Sequence, residues 1–411
     1  MSPSPSILFV NQHYWPDIAA TGQQLTDLAE YLAADGFDVH VLTGGGRYVS
    51  GALPAPRRER RNGVTITRIR GTAFGRGTTV GRLTDYASFY ASALARVVGG
   101  RRYDLVVYLT TPPLLSTLGA VARRLRGRRY GIWSMDLHPD AEEALGMLRP
   151  GGWAARALHW LNDRGTRGAD AVVALGPYMN ARIAGRGARA DRVHTVSVWG
   201  VRDEVRPVAP EDNALRHELG LDGTFVVMYS GNAGLAHRFD EVVEAMRLLR
   251  DHPTVRFVFV GDGPRRREIE AAAADLPHVR YLDYFPRERL DESLSLGDLH
   301  LLTLRDDMAG IAVPSKLFGI MAAARPVAMV GPAESEPAAV ILQHRIGTVH
   351  AAGPGGGAAL AERIRSAAAD PARTAEAGRA GRAAFLAHYE RDVCCAEWAA
   401  LLRRVVHAPH P

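Results

Sequence analysis

The stretch Gly310 to Val327, GIAVPSKLFGIMAAARPV, contains Lys316, the single lysine in 411 residues; the other 49 of 50 basic residues are arginine. Pro314 and Ser315 read as a helix start, with Leu317, Ile320 and Met321 following at helical spacing. A cation in a helix's first turn opposes the helix dipole unless an anion lies against it. Phosphate oxygens are such an anion. An ammonium on a flexible stem acts as a compact point charge between them, where a guanidinium brings a wider, fixed fork. A second anion-type pattern is SGNAGLAHRFDE, where Gly231, Asn232 and Gly234 lie between a strand and a helix that Arg238 opens. Small residues let the backbone approach a phosphate, and amides there favour negative charge. A third segment, WSMDLHPDAEEALG, ends a strand and offers Asp136 and His138, with Asp140 or Glu142 behind them. Asp140 also reads as a helix cap.

These residues need elements to hold them, and the chain supplies one theme twice. The first half opens with strand ILFV, loop NQHYWPDIAATG, helix QQLTDLAEYLAADG and strand DVHVLT, a βαβ unit of the doubly wound kind. VTITRIR, DLVVYLT, RYGIWSMD and AVVAL read as further strands. The second half restarts at TFVVMYSGNAG, runs into helix FDEVVEAMRLLRD, and returns with VRFVFVGDGP, VRYLDY, LHLLTL and PVAMVG. The seam VWGVRDEVRPVAPED predicts an N-terminal domain over 1–205 and a C-terminal domain over 206–387. One long helix, RAAFLAHYERDVCCAEWAALLRRVV, crosses back within 388–411. The Gly-rich AAGPGGGAA reads as a turn segment and lacks the Lys-Ser/Thr of a P-loop.

Composition bounds the rest. A chain 47% hydrophobic and 23% charged is of globular type. Its net charge of +6 comes from scattered arginines without an aromatic-basic stripe, which argues against nucleic acid. Adjacent Cys394 and Cys395 cannot staple distant segments, so a reducing compartment, the cytoplasm, is expected. The N-terminus lacks a basic start and a long apolar run, which argues against a signal peptide, and no apolar window is long enough to span a membrane. PRRERRN and RRLRGRR read either as solvated surface or as a peripheral contact with anionic lipid at the inner face of the membrane.

Four ordered motifs, the loop-helix opening from Asn11, VVMYSGNAGLAHRFDEVVEA, VFVGDGPRRREIE and VPSKLFGIMAAARPVAMVG, resemble the retaining glycosyltransferases of family GT4, in the capsular, O-antigen and exopolysaccharide branch. The resemblance runs from residue 7 to about 400. It implies an α/β GT-B fold, two Rossmann-like domains facing each other across a cleft, and transfer from a nucleoside diphosphate sugar without metal or cofactor. Asp306 and Asp307 in RDDM accordingly read as a solvated pair. By the same resemblance Lys316 and Arg238 meet the donor diphosphate. Gly22, Gly231, Asn232, Gly234, Gly263 and Tyr284 also fall to the donor, as do the backbone of Gly310, Ile311, Ala312 and Val313. Tyr14, Trp15, Asp17, Asp136 and His138 fall to the acceptor, a glycan, lipid-linked sugar or small metabolite. The family's two glutamates, with seven residues between them, fall here on Ile311 and Gly319, so Glu334 and Glu336 in the following loop read either as ribose contacts or as surface charge. A catalytically silent sugar-nucleotide-binding partner is the alternative these departures keep open.

Overall fold

The protein, represented by a computed structural model, is described over residues 4–17, 19–45, 56–69, 71–72, 79–200 and 205–408. Ile18, Arg70, the seam residues 201–204 and the terminal residues 409–411 of the predicted segments lie outside that set. The chain divides into two compact units, Met1–Val198 with Asp392–Pro411, and Trp199–Arg391.

The first unit runs β1 (Ser6–Val10), α1 (Ala20–Ala34), β2 (Asp38–Thr43), β3 (Arg58–Arg61), β4 (Val64–Arg68), α2 (Thr79–Gly99), β5 (Leu105–Tyr108), α3 (Ser116–Arg126), β6 (Tyr130–Trp133), α4 (Asp140–Ala144), α5 (Trp153–Arg167), β7 (Ala171–Ala174), α6 (Pro177–Gly185) and β8 (Val193–Thr195). Among the described residues its sheet has the order β3-β4-β2-β1-β5-β6-β7-β8, parallel except for β3 against β4. Central strands such as LVVY and YGIW are buried at every position, as strands covered on both faces must be. β3, built from PRRERRN, was not predicted as a strand because it has no apolar face. Charges on an edge strand blunt unwanted pairing.

The second unit runs α7 (Ala214–Glu218), β9 (Phe225–Ser230), α8 (Asp240–Leu248), β10 (Val255–Val260), α9 (Arg266–Ala272), β11 (Val279–Leu282), α10 (Leu290–Ser295), β12 (Leu299–Thr303), α11 (Lys316–Ala322), β13 (Val327–Val330), α12 (Glu336–Gln343), β14 (Gly347–His350), α13 (Gly356–Ala369) and α14 (Pro371–Ala384). Its all-parallel sheet has the order β11-β10-β9-β12-β13-β14. Val227, Phe257 and Leu299 from three strands pack with Val242, Met246 and Leu360 from α8 and α13. The Gly-rich segment is more than a turn. Gly355 precedes α13, and a Cβ on Gly357 would stand 2.4 Å from Glu244, so the glycines set how closely α13 packs on α8.

The single terminal helix expected from 382 onward is broken. After α14 the chain makes a wide turn over Phe385–Tyr389, becomes extended at Glu390, and re-enters helix as α15 (Arg391–His407). The break coincides with the change of unit: Phe385 packs on Gly200 in the second, and Trp398 lies 4.7 Å from Trp133 in the first.

Candidate active site

In the second unit the chain builds outward from β9 in one direction through β10 and β11, then restarts at β12 and goes the other way. Ligands of doubly wound sheets bind at the carboxyl ends flanking such a reversal. The loops after β9 and β10 meet there. The Gly231 amide donates to the Val260 carbonyl (2.9 Å) and the Ala233 amide to the Asp262 carbonyl (2.8 Å). Gly263, at φ +141°, makes the approach possible, since a Cβ there would stand 2.5 Å from Asn232 Oδ1. The zipper leaves the amides of Asn232 and Gly234 outside it.

Lys316, opening α11, reaches back over Gly231. Its Nζ donates to Tyr229 Oη (2.5 Å) and the Asn232 carbonyl (3.3 Å) and lies 3.9 Å from the Tyr229 ring centroid. Tyr229 in turn donates to the Asn232 carbonyl at 3.0 Å. Among the described residues no carboxylate pairs with Lys316. Loss of water around the half-buried side chain pushes its pKa from 10.5 down to about 7. His237, which sequence reasoning missed, is buried in the same loop and donates to the Thr303 carbonyl (2.5 Å). Burial first, and the charge of Lys316 next, push its pKa down to about 3, so the ring is neutral. A histidine between an alanine and an arginine carries no signal by itself. Its proximity to Lys316 is made by the fold. Tyr284 is exposed and lies against Gly261, an open aromatic face beside the glycine loops.

Other expectations on this unit are corrected. Arg238 makes a two-pronged pair with buried Glu241 (2.9 and 2.5 Å), and Asp306 lies 3.6 Å away, so its charge is already compensated. Glu241 also accepts from the Gly353 amide at 2.7 Å, which ties α8 to the segment before α13. Of the expected backbone donors, the Ile311 and Ala312 amides turn inward to the Met308 carbonyl (3.1 and 3.4 Å), leaving those of Gly310 and Val313. Glu336 is buried in the first turn of α12, whereas Glu334 is exposed on the preceding loop.

In the first unit the reversal lies between β1 and β5. Gln12 gathers the loops around it, its amide donating to the Thr111 carbonyl (2.8 Å) and its carbonyl accepting from the Gly44 amide (3.1 Å). Gly22 is buried under His13, whose backbone and Cβ would lie 3.2 to 3.4 Å from a Cβ there, so its small size serves that packing. Of the expected acceptor residues in this loop, Tyr14 is a core residue and Asp17 accepts from His13 Nδ1 (3.0 Å). Trp15 is at the surface with the Arg61 guanidinium 3.8 Å over its ring.

Asp136 and His138 stand together after β6. His138 Nδ1 donates to Glu142 Oε1 at 2.7 Å, one helical turn on. Burial opposes a charged imidazole, but the Glu142 bond and the nearby Asp136 and Asp140 outweigh it and raise the His138 pKa above 6.5. Burial also raises the Asp136 carboxyl above its ordinary value. Both line a cavity of about 30 Å³ with Ser116, Ser134, Asp140 and Asp163. Among the described residues buried Asp140 Oδ2 and Ser116 Oγ have no hydrogen-bond partner. That space holds about two waters. Asp140 is no simple cap: its Oδ1 accepts from Arg186 at 2.5 Å. Among the described residues no cluster of three or more His, Cys, Asp or Glu is placed to hold a metal ion.

Comparison with known proteins places this architecture. A Glycosyl transferase 4-like domain matches residues 20–199 and a Glycosyl transferases group 1 domain matches residues 224–370. The protein named putative colanic acid biosynthesis glycosyl transferase WcaI, from Escherichia coli strain K12, is 29% identical over 331 residues, covering 77% of this chain and 81% of its own. Sucrose-phosphate synthase from Thermosynechococcus elongatus superposes with a TM-score of 0.74 at 17% identity, over 98% of this chain and 100% of that one. Anabaena HepE, solved in complex with UDP and glucose, gives 0.70 at 18% identity, over 97% and 99%. With two doubly wound units and both domain matches in register with them, the chain belongs to the GT4 family of glycosyltransferases and has the GT-B fold.

Proposed function

We propose that this glycosyltransferase takes a sugar from a nucleoside diphosphate sugar, passes it to a hydroxyl acceptor with retention at the anomeric carbon, and needs no metal ion or other cofactor. The observation that carries the reading is Lys316, which among the described residues has no carboxylate partner and stands at the chain reversal of the second sheet. The anomeric carbon–oxygen bond breaks and the diphosphate gains charge, which Lys316 meets together with the outlying amides of the glycine loop. The acceptor oxygen bonds to the anomeric carbon from the side the diphosphate leaves, and its proton passes to a departing phosphate oxygen. Asp136 and His138 orient the acceptor hydroxyl, and Tyr284 offers its ring to the base. With Cys394 and Cys395 both buried and not joined in a disulfide, the chain suits a reducing, cytoplasmic setting.

The test is turnover of UDP-, GDP-, dTDP- and ADP-sugars by the wild type and Lys316→Ala, with and without EDTA, and with the product anomer read by NMR. The reading expects release of one nucleoside diphosphate in EDTA, its loss in Lys316→Ala, and a retained anomer. Activity restored only by magnesium or manganese overturns metal independence. Tight nucleotide binding without turnover of any sugar leaves a silent binding partner, the reading that Ile311 and Gly319 at the glutamate positions favour.

A further inference from the structure

Lys316 is the one lysine of the chain, so its Nζ is the one side-chain amine that an electrophile can find. Its surroundings are those of a nucleophile. The side chain is half-buried, and the two oxygens it meets, the Tyr229 hydroxyl (2.5 Å) and the Asn232 carbonyl (3.3 Å), are both neutral acceptors. A neutral amine has two hydrogens and one lone pair. With both hydrogens held by those oxygens, the lone pair takes the remaining tetrahedral direction, away from them. A Cβ on Gly231 would stand 3.5 Å from Nζ and Cε, so the glycine leaves room beside the amine.

Among the described residues, nothing on the neighbouring elements holds a proton on that amine. On β9, burial pushes the Tyr229 phenol up, so it is neutral. In the loop after β9, His237 is neutral and spends its Nδ1 proton on the Thr303 carbonyl. Arg265, just before α9, donates to the His237 carbonyl (2.7 Å) and is paired with Glu268. Lys316, with its pKa near 7, is therefore roughly half neutral at neutral pH, where an ordinary lysine is almost wholly protonated. The amides of Asn232 and Gly234, left outside the zipper between the two glycine loops, suit an anion next to it. A reagent that carries both a phosphate and an activated carbonyl would be held by the first and attacked at the second.

We propose that Lys316 is a covalent modification site for acyl phosphates, small reagents of the acetyl phosphate class. The phosphate lies on the glycine loop and Nζ attacks the acyl carbon. The bond from Nζ to that carbon forms, the bond from the carbon to the phosphate oxygen breaks, and inorganic phosphate leaves with the amine proton. The product is an amide. It carries no charge, and its acyl group fills the room beside Gly231, so a diphosphate finds neither the cation nor the space. That consequence rests on the function proposed above, because it gives the donor the same site; the acylation itself needs only the amine and the anion loop. An arginine could not take part, since its guanidinium stays protonated. The lysine kept in a chain of arginines thus makes the site open to a chemical signal as well as to its substrate.

The single lysine makes the test direct. A lysine-specific endoproteinase cuts the denatured chain at one bond, after Lys316, and does not cut an acylated lysine. The folded chain would be held with acetyl phosphate near neutral pH, unfolded in urea and digested. Unmodified protein yields residues 1–316 and 317–411, and acetylated protein stays whole, with the added group confirmed by mass. Acylation is expected to saturate with acetyl phosphate, to be slowed by inorganic phosphate, and to run at least about tenfold faster than that of N-acetyl-lysine amide in the same solution, whose amine is protonated. Nucleoside diphosphate affinity, read by calorimetry, should fall at least about tenfold in the acetylated chain, as for loss of a bond to a charged group. Complete cleavage after exposure, a rate no faster than that of the amide, or indifference to phosphate overturns the proposal, even where Lys316→Ala loses donor turnover and the function stands. Fast, phosphate-sensitive acylation that leaves nucleoside diphosphate affinity unchanged keeps the modification site and removes Lys316 from the donor site instead.

Discussion

Lys316 is a base as much as a cation, because burial has brought its pKa to about 7. An anion placed against it favours the charged form and raises that pKa. Binding a diphosphate should therefore take up a proton whenever the pH is above about 7. Affinity should be flat below that point and fall by up to about tenfold per pH unit above it, until the pKa of the bound state is reached. Calorimetry at alkaline pH in two buffers of different ionisation enthalpy reads the proton directly; equal heats in both would remove Lys316 from the anion site. Lys316→Arg should keep the charge at all pH values yet lower turnover at least about tenfold, equal to about 1.4 kcal/mol in the barrier. Wild-type turnover in that variant would defeat the compact-charge argument. At the acceptor side, Glu142→Gln should lower the His138 pKa, because the carboxylate that now favours the imidazolium becomes neutral. An NMR titration in which His138 keeps its pKa would deny Glu142 that role. Lys316 was legible because a sole lysine among arginines stands out in any reading of the chain. His237, Glu142 as the partner of His138, and the capture of Arg238 by Glu241 were not, because each depends on where a loop sends a side chain.

The elements around the donor half are held by contacts that do no chemistry themselves. Arg238, Glu241 and Gly353 form a tie between the start of α8 and the segment before α13. Removing the partly exposed guanidinium leaves the buried Glu241 carboxylate with the Gly353 amide and most of its charge unmatched. Arg238→Ala is thus expected to lower stability by about 2 to 4 kcal/mol, somewhat under the cost of breaking a fully buried pair. Nucleoside diphosphate affinity should change far less than in Lys316→Ala. Urea denaturation and calorimetry separate the two. A stable Arg238→Ala with lost affinity would return the arginine to the phosphate. At this scale the sequence was most readable where burial is two-sided: VVMY, VRFVFV and LVVY announce central strands by apolar runs alone. It was least readable at the margins. β8 and β14 are short and only partly buried, and β3 carries charge at every position. Glu390 interrupts a pattern that remains helical on both sides, for a reason that lies in the packing of Phe385 and Trp398 on different units.

For the whole molecule, the repeated βαβ theme gave two doubly wound sheets, and the return of the chain end was visible as an amphipathic terminal segment. What the return holds together is a matter of the fold. Trp398 of α15 is fully buried against Trp133, the last residue of β6, and Arg129, just before β6, donates to the carbonyls of Val406 and Ala408 at 2.9 and 3.2 Å. The last twenty residues thus complete the core of a unit begun by the first two hundred. Trp398→Ala should open a cavity beside β6 and cost about 3 to 5 kcal/mol. The cost falls on the first unit, since every one of these contacts is within it. The nucleotide site proposed above lies in the second, and a ligand stabilises what it binds, by about 2.7 kcal/mol at a hundred times its dissociation constant. Hydrogen exchange read by mass spectrometry should show lost protection across β5, β6 and β7 in the variant. The protection that a bound nucleoside diphosphate adds at Tyr229–Phe239 and around Lys316 should be the same as in the wild type. Loss spread evenly over both sheets would mean that the two units unfold as one, and that the terminal helix sets the stability of the donor site as well as of the sheet it completes.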